Sequence, residues 1–459
     1  MYKIDFNHPI HIYFIGIGGI SMSGLAEILL TEGFRISGSD MKRSELTESL
    51  EKKGAVIYYG QQTAHLTPDI DLVVYTSAIH PDNPEYIAMN ELHLPCLSRA
   101  ELLGQMMKNY KIPVAVSGTH GKTTTTSMIA EILLENNSDP TLSIGGIFKD
   151  IGGNIRIGKS DYFVTEACEY TNSFLSFFPK IGIILNIEED HLDFFKDIHD
   201  IRHSFRRFAG LLPADGALII NGCIEHREEI TAGLSCRVIT YGTSDDCDYY
   251  CSDISYDGYA HAVFTLHSSG QDGEQFALAV PGEHNVSNAM AAIALADLLG
   301  IERRTVKRAL LHFTGTDRRF EYKGKKNGFT IIDDYAHHPT EITATLKAAV
   351  NYPHHTLWCV FQPHTFTRTK AFLPEFAKAL LHADKIVLAD IYAARETDTL
   401  GISSKDLQDE ILRLGGECYY FSSFEAIENF LLENCLKDDL LITMGAGDIV
   451  KIGENLLQK

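Results

Sequence analysis

Residues 112–134 constrain this chain more than any other stretch. An apolar run from Ile112 to Val116 leads into a loop with glycine at 118 and 121, and the loop leads into the helix-patterned segment Met128 to Leu134. The spacing predicts a strand, a phosphate loop and a helix. Such a loop turns backbone N–H groups and a helix N-terminus toward one point, where Lys122 adds a positive charge and Thr123 can hold a magnesium ion. The natural guest is a polyphosphate. The loop is Gly118-Thr119-His120-Gly121-Lys122-Thr123, narrower than the usual pattern because Val116 stands where the first glycine is expected. A glycine turn beside a surface lysine is the plainer alternative, and the flanking strand and helix weigh against it.

A chain of 459 residues is too long for one ordinary core and implies about three domains. Its net charge of −21 disfavours nonspecific nucleic-acid binding, so a site for a polyanion must be built from local cations and backbone dipoles. Nine cysteines lie scattered without a C-x-x-C pair, which fits neither a disulfide framework nor a zinc ribbon. No apolar run reaches membrane-spanning length and the N-terminus has no secretory pattern, so a cytoplasmic protein is expected.

In order, the chain reads as three α/β units. Residues 1–111 open with the apolar run Ile10 to Ile15, a glycine turn at Gly16, Gly18 and Gly19, a helix, and a second strand ending at Asp40. This is Rossmann-like: the glycines let backbone approach a pyrophosphate, and Asp40 can reach a ribose. A tight structural turn is the alternative. Residues 112–316 carry the phosphate loop and alternating strands and helices, with an antiparallel addition near 245–280. Residues 317–459 form a second Rossmann-like sheet, with strands near 330–334, 357–361, 385–390 and 439–443.

Several polar clusters leave the ends of predicted strands, the edge where parallel sheets bind ligands. A magnesium ion near Thr123 needs a carboxylate, and Glu166 is the candidate. His191 follows three acids, Glu188 to Asp190; it is a further ligand or a buried structural histidine, and the acids are otherwise a solvated loop. Asn285 and Asn288, beside His284, either read an adenine edge or cap a helix. His337 and His338 point to opposite sides in extended chain, so they do not bind one metal together. Arg368 is suited to clamp phosphate or carboxylate. Neither a G-x-S-x-G elbow nor an H-E-x-x-H pair is present, which weighs against nucleophilic hydrolysis and zinc proteolysis.

The motifs G-T-H-G-K-T-T-T at 118–125, N-I-E-E-D-H at 186–191, G-E-H-N-V-S-N-A at 282–289 and D-D-Y-A-H-H-P-T-E at 333–341 together resemble the Mur ligases of peptidoglycan synthesis. The opening F-I-G-I-G-G-I-S-M and the later F-Q-P-H…R-T and M-G-A-G-D-I segments extend the resemblance over nearly the whole chain. It implies an amide ligation that uses ATP and Mg2+ and joins L-alanine to the lactyl carboxylate of UDP-N-acetylmuramate, by a monomer or homodimer. It further implies that Gly118, Thr119, Gly121, Lys122, Thr123, Thr124, His284, Asn285, Asn288, Arg319 and Asp334 hold ATP. Thr123, Glu166 and His191 would hold the metal. The nucleotide sugar would lie along Gly16, Gly18, Gly19, Asp40, Ser77, Ala78 and Arg99. His337, His338 and Arg368 would surround the closed cleft, with His338 the candidate base for the amine.

The chain departs from the family pattern at Cys168, where many relatives have an acid, so Glu166 ranks above Glu169. It departs again at Thr365, where arginine is frequent. Lys196 follows His191 too closely to supply the carbamylated lysine of later-acting relatives. Two other readings stand beside this one: a recycling ligase that attaches a whole peptide to the same nucleotide sugar, and a nicotinamide-dependent oxidoreductase.

Overall fold

The computed structural model describes residues 2–76, 79–268, 271–394, 396–398 and 400–459. The chain forms three sheets. The first has five strands in the order Val56–Tyr59, Arg35–Asp40, His11–Ile15, Leu72–Tyr75 and Cys96–Ser98, all parallel. Its central strand His11–Ile15 is buried along its whole length, as expected for a parallel strand covered on both faces.

The second sheet has ten strands. At its centre Ile112–Ser117 lies between Ile181–Ile184 and Tyr162–Ala167, parallel to both. That order brings the ends of three strands to one edge, the C-terminal edge from which the phosphate loop springs. Beyond Arg237–Gly242 the sheet continues through Tyr249–Tyr256, and His261–Ser268 and Gln271–Pro281 then add as antiparallel strands. The helix Lys122–Glu135 starts at the loop, earlier than the apolar pattern from Met128 suggests. Its four threonines are poor helix formers. Burial decides the matter, because the helix packs against His284–Leu298 and Arg303–His312, and Thr125 and Thr126 are fully enclosed.

The third sheet has six strands, with Glu321–Lys326 antiparallel at its edge and the other strand pairs parallel. The edge strand reads Glu-Tyr-Lys-Gly-Lys-Lys and has no apolar alternation. A lysine-rich strand of this kind suits an edge, where charge discourages further pairing, and it gives no strand signal in the sequence. Among the described residues no helix is long and apolar enough to cross a membrane.

The first sheet is seated firmly on the second. Leu102, Leu103 and Met106 from the helix Arg99–Met107 share one apolar cluster with Phe163, Phe174 and Phe177 of the second unit. At Gly104 the approach is so close that a Cβ would stand 1.9 Å from the carbonyl oxygen of Ser176. Because that neighbour is backbone, Gly104→Ala is expected to push the two units apart at a cost of about 1–3 kcal/mol. A thermal-denaturation midpoint equal to that of the unmodified chain would contradict this packing.

Candidate active site

The phosphate loop depends on two glycines. Gly118 has φ +142° and packs so closely on Leu185 and Asn186 that a Cβ would lie 2.9 Å from the Leu185 Cβ. Gly121, at φ +80°, precedes the helix as its N-cap and has no side chain to offer. The first helical bond runs from Thr125 N–H to the Gly121 carbonyl, so the N–H groups of Lys122, Thr123 and Thr124 have no acceptor within the helix. Asn186 steadies the loop by accepting the His120 N–H at 2.7 Å.

Lys122 Nζ donates to the carbonyls of Gly118 and Thr119 and to Glu169 Oε2 at 2.9 Å. Burial alone would lower the ammonium pKa, but the Glu169 carboxylate outweighs it and raises the value above the ordinary one. Glu169 therefore contacts the loop's lysine directly, although the sequence reading ranks it below Glu166. Glu166 accepts the Gly145 N–H. The Thr123 methyl lies against Gly146, the next residue, so the Thr123 side chain and the Glu166 carboxylate flank one short backbone segment. His191 has φ +53°, stacks on Tyr170 with ring centroids 4.5 Å apart, and places Nε2 3.7 Å from Glu169 Oε1. Burial lowers its pKa and favours the neutral imidazole that metal binding requires.

A cavity of about 230 Å³ is lined by His120, Gly121, Thr124, His284, Asn285, Asn288, Arg319 and Asp334. Neither asparagine is a helix cap. The N-cap is Glu283, and Asn288 Nδ2 instead donates to Asn285 Oδ1 at 3.0 Å. Arg318 is bound to Asp333 at 3.0 Å and to the carbonyls of Gly445 and Gly447, whereas Arg319 lines the cavity. Asp334 accepts the N–H groups of Phe320 and Ala336, each at 2.8 Å, and burial pushes its carboxyl up to about 6.

The first sheet contributes from the other side. Asp40 Oδ2 accepts the Gly18 N–H at 2.8 Å, so this carboxylate braces the glycine turn that also contains Gly16 and Gly19. Arg99 donates to Ser21 Oγ at 3.1 Å, and among the described residues no carboxylate lies within ion-pairing distance of it. Together with Ser21, Gly145, Glu166 and Cys168 it lines a cavity of about 210 Å³ between the first and second units. Ser77 and Ala78 lie outside the described residues.

The third sheet closes over the acidic run. Arg368 Nη2 meets Asp190 Oδ1 at 2.8 Å, His338 Nε2 meets the Glu189 carbonyl at 3.1 Å, and the Thr340 hydroxyl donates to Glu188 Oε2 at 2.6 Å. His337, next to His338, turns away to the Tyr335 carbonyl at 3.0 Å, so the two adjacent rings serve different partners.

Models of the Mur ligase family match nearly the whole chain: the catalytic domain over 11–111, the middle domain over 116–296 and the glutamate ligase domain over 318–447. The chain belongs to the Mur ligase family. It is 61% identical to the UDP-N-acetylmuramate–L-alanine ligase of Agathobacter rectalis and 59% identical to that of Lachnospira eligens, each over the full length of both chains. Among solved structures it is similar to the UDP-N-acetylmuramate–alanine ligase from Thermotoga maritima, with 30% identity, a TM-score of 0.81 and 98% of each chain covered. A murein peptide ligase from Psychrobacter arcticus follows at 26% identity and a TM-score of 0.73, again over 98% of each chain.

In this Mur ligase several site residues carry no signal of their own in the sequence. Asp190, Glu188, His120 and Glu341 all lie inside quoted motifs, yet their partners are 150 or more residues away along the chain in most cases, as between Arg368 and Asp190. Burial alone would raise the Asp190 carboxyl, but the Arg368 guanidinium holds it well below the usual carboxylate range. A depressed value means that the pair's stabilisation is complete above an ordinary pKa of about 4 and is lost as pH falls from there through the depressed value. Asp190→Asn removes one partner of a buried pair and is expected to loosen the third unit at neutral pH. Small-angle scattering should then give a larger radius of gyration for the variant; equal radii would count against the contact as a latch.

Proposed function

We propose that this chain joins L-alanine to the lactyl carboxylate of UDP-N-acetylmuramate at the expense of ATP. The observation that carries the reading is the convergence on Glu166 of two cationic groups from different units. Arg99 lines the same cavity as Glu166 from the first sheet, and Lys122 stands on the phosphate loop within electrostatic range of it. A carboxylate held by Arg99 and a terminal phosphate held by Lys122 would meet there. The 61% identity to an alanine-adding ligase favours this substrate pair.

In this scheme ATP places adenine near Asn285 and Asn288, with Arg319 facing its phosphates and the helix N-terminus at Lys122, Thr123 and Thr124 receiving the chain of charges. The sugar nucleotide lies along Gly16 to Gly19, a turn kept in shape by Asp40. Its carboxylate oxygen attacks the γ-phosphorus, the bond to ADP breaks, and an acyl phosphate forms. The alanine nitrogen then attacks the acyl carbon and phosphate departs. Little covalent help is needed from the protein, because phosphoryl transfer depends on alignment and charge neutralisation. The hydroxyl of Thr123, the Glu166 carboxylate and the neutral His191 suit a divalent ion, whose contribution would be to offset the phosphate charge. Arg368 and His338 act by keeping the third unit against the acidic run, which excludes water from the reacting groups. We place the reaction in the cytoplasm, where ATP and the nucleotide sugar are available.

Phosphate release from ATP and UDP-N-acetylmuramate should appear with L-alanine and not with a murein tripeptide; release with tripeptide alone would identify a recycling ligase instead. Lys122→Ala is expected to lower the rate by roughly 10³-fold or more, since it removes a preorganised charge from the transferred group. A near-normal rate in that variant would defeat the mechanism.

A further inference from the structure

One cluster of metal-binding side chains shares no residue with the ion position at Thr123, Glu166 and His191. His120 comes from the phosphate loop, Glu188 from the acidic run and His338 from the residue before the helix Pro339–Val350, so the three span the seam between the second and third sheets. Their ligating atoms all lie within 4.8 Å of one another.

The two rings are oriented as ligands are. His120 Nδ1 stands 3.2 Å from Glu341 Oε1, a carboxylate that accepts its hydrogen. This directs His120 Nε2 at Glu188 Oε2, 3.6 Å away, so an ion would take the buried Nε2 lone pair in exchange for a proton. His338 Nε2 lies 3.1 Å from the Glu189 carbonyl, which can only accept, so this nitrogen carries the hydrogen and Nδ1 presents a lone pair. The Thr340 N–H approaches that lone pair at a long 3.4 Å. In each ring one nitrogen is held by an acceptor, the arrangement that fixes the tautomer of a ligating imidazole.

Two imidazoles and one carboxylate suit a zinc-like or cobalt-like ion better than magnesium, which prefers oxygen. Ligands bound at about 2.1 Å around a tetrahedral ion lie about 3.4 Å apart, so a pair at the 4.8 Å limit would draw in by about 1.4 Å, a movement that side-chain rotation on both faces of the seam can share. We propose that His120, Glu188 and His338 form a transition-metal site, separate from the position at Thr123, Glu166 and His191, that fastens the third sheet to the phosphate loop.

Co2+ is the probe, titrated into the full chain with magnesium in large excess and no nucleotide. One Co2+ per chain should bind with visible ligand-field absorption, more than about tenfold more weakly in His338→Ala and in Glu188→Gln, and with unchanged affinity in His191→Ala. Absence of saturable binding, or binding lost in His191→Ala and kept in His338→Ala, overturns the site. X-ray absorption at the cobalt edge of the unmodified chain gives a measure that does not depend on how the variants fold. Two coordinated imidazoles support the site, and fewer than two refute it.

Discussion

A lysine ammonium at the first position of a helix sits where the aligned peptide dipoles already place positive charge. Lys122 is in that position and largely buried, so it needs counter-charge and acceptors close by. The Gly118 and Thr119 carbonyls and the Glu169 carboxylate supply them. Glu169 can do so because it follows the strand Tyr162–Ala167, the immediate neighbour of the strand that leads into the loop. A polyphosphate offers the same ammonium a denser charge, which is why the loop is poised to receive one. The strand order of the second sheet is therefore the condition for the site: with another neighbour at this edge, Lys122 would be a buried charge without a counter-charge.

The same economy governs the seam with the third sheet. The run Glu188-Glu189-Asp190 would be a solvated loop if it faced water. Instead each residue meets the third unit, through the Thr340 hydroxyl, the His338 ring and the Arg368 guanidinium respectively. His120 adds a cross-link from the loop to Glu341, and the two carboxylates beside it raise its pKa to about 9 against the effect of burial. Closure of the cleft is thus an exchange of solvation for paired charge along one short edge.

Much of this could be read along the chain. The strand, loop and helix at 112–135 follow from an apolar run, two glycines and a buried helical face. The polar clusters after Tyr162–Ala167 and Ile181–Ile184 announce themselves as strand ends. The strand Glu321–Lys326 was not legible, because its lysines obey the needs of an edge rather than a core. The ranking of Glu166 over Glu169 also rested on motif position, and only the fold shows that Glu169 reaches Lys122. Asn285 and Asn288 could equally have been caps, and their mutual hydrogen bond beside the cavity distinguishes the two.

The sequence by itself determined the three α/β units, the polyphosphate loop and the family, since each rests on local patterning or on the order of motifs. Tertiary structure alone decided which acid pairs with which base. Arg318 and Arg319 are adjacent and chemically identical, yet one is bound within the third sheet and the other lines the cavity beside Asn285 and Asn288. Charge pairing across long sequence separations depends on distance and burial, and neither quantity exists until the sheets are packed.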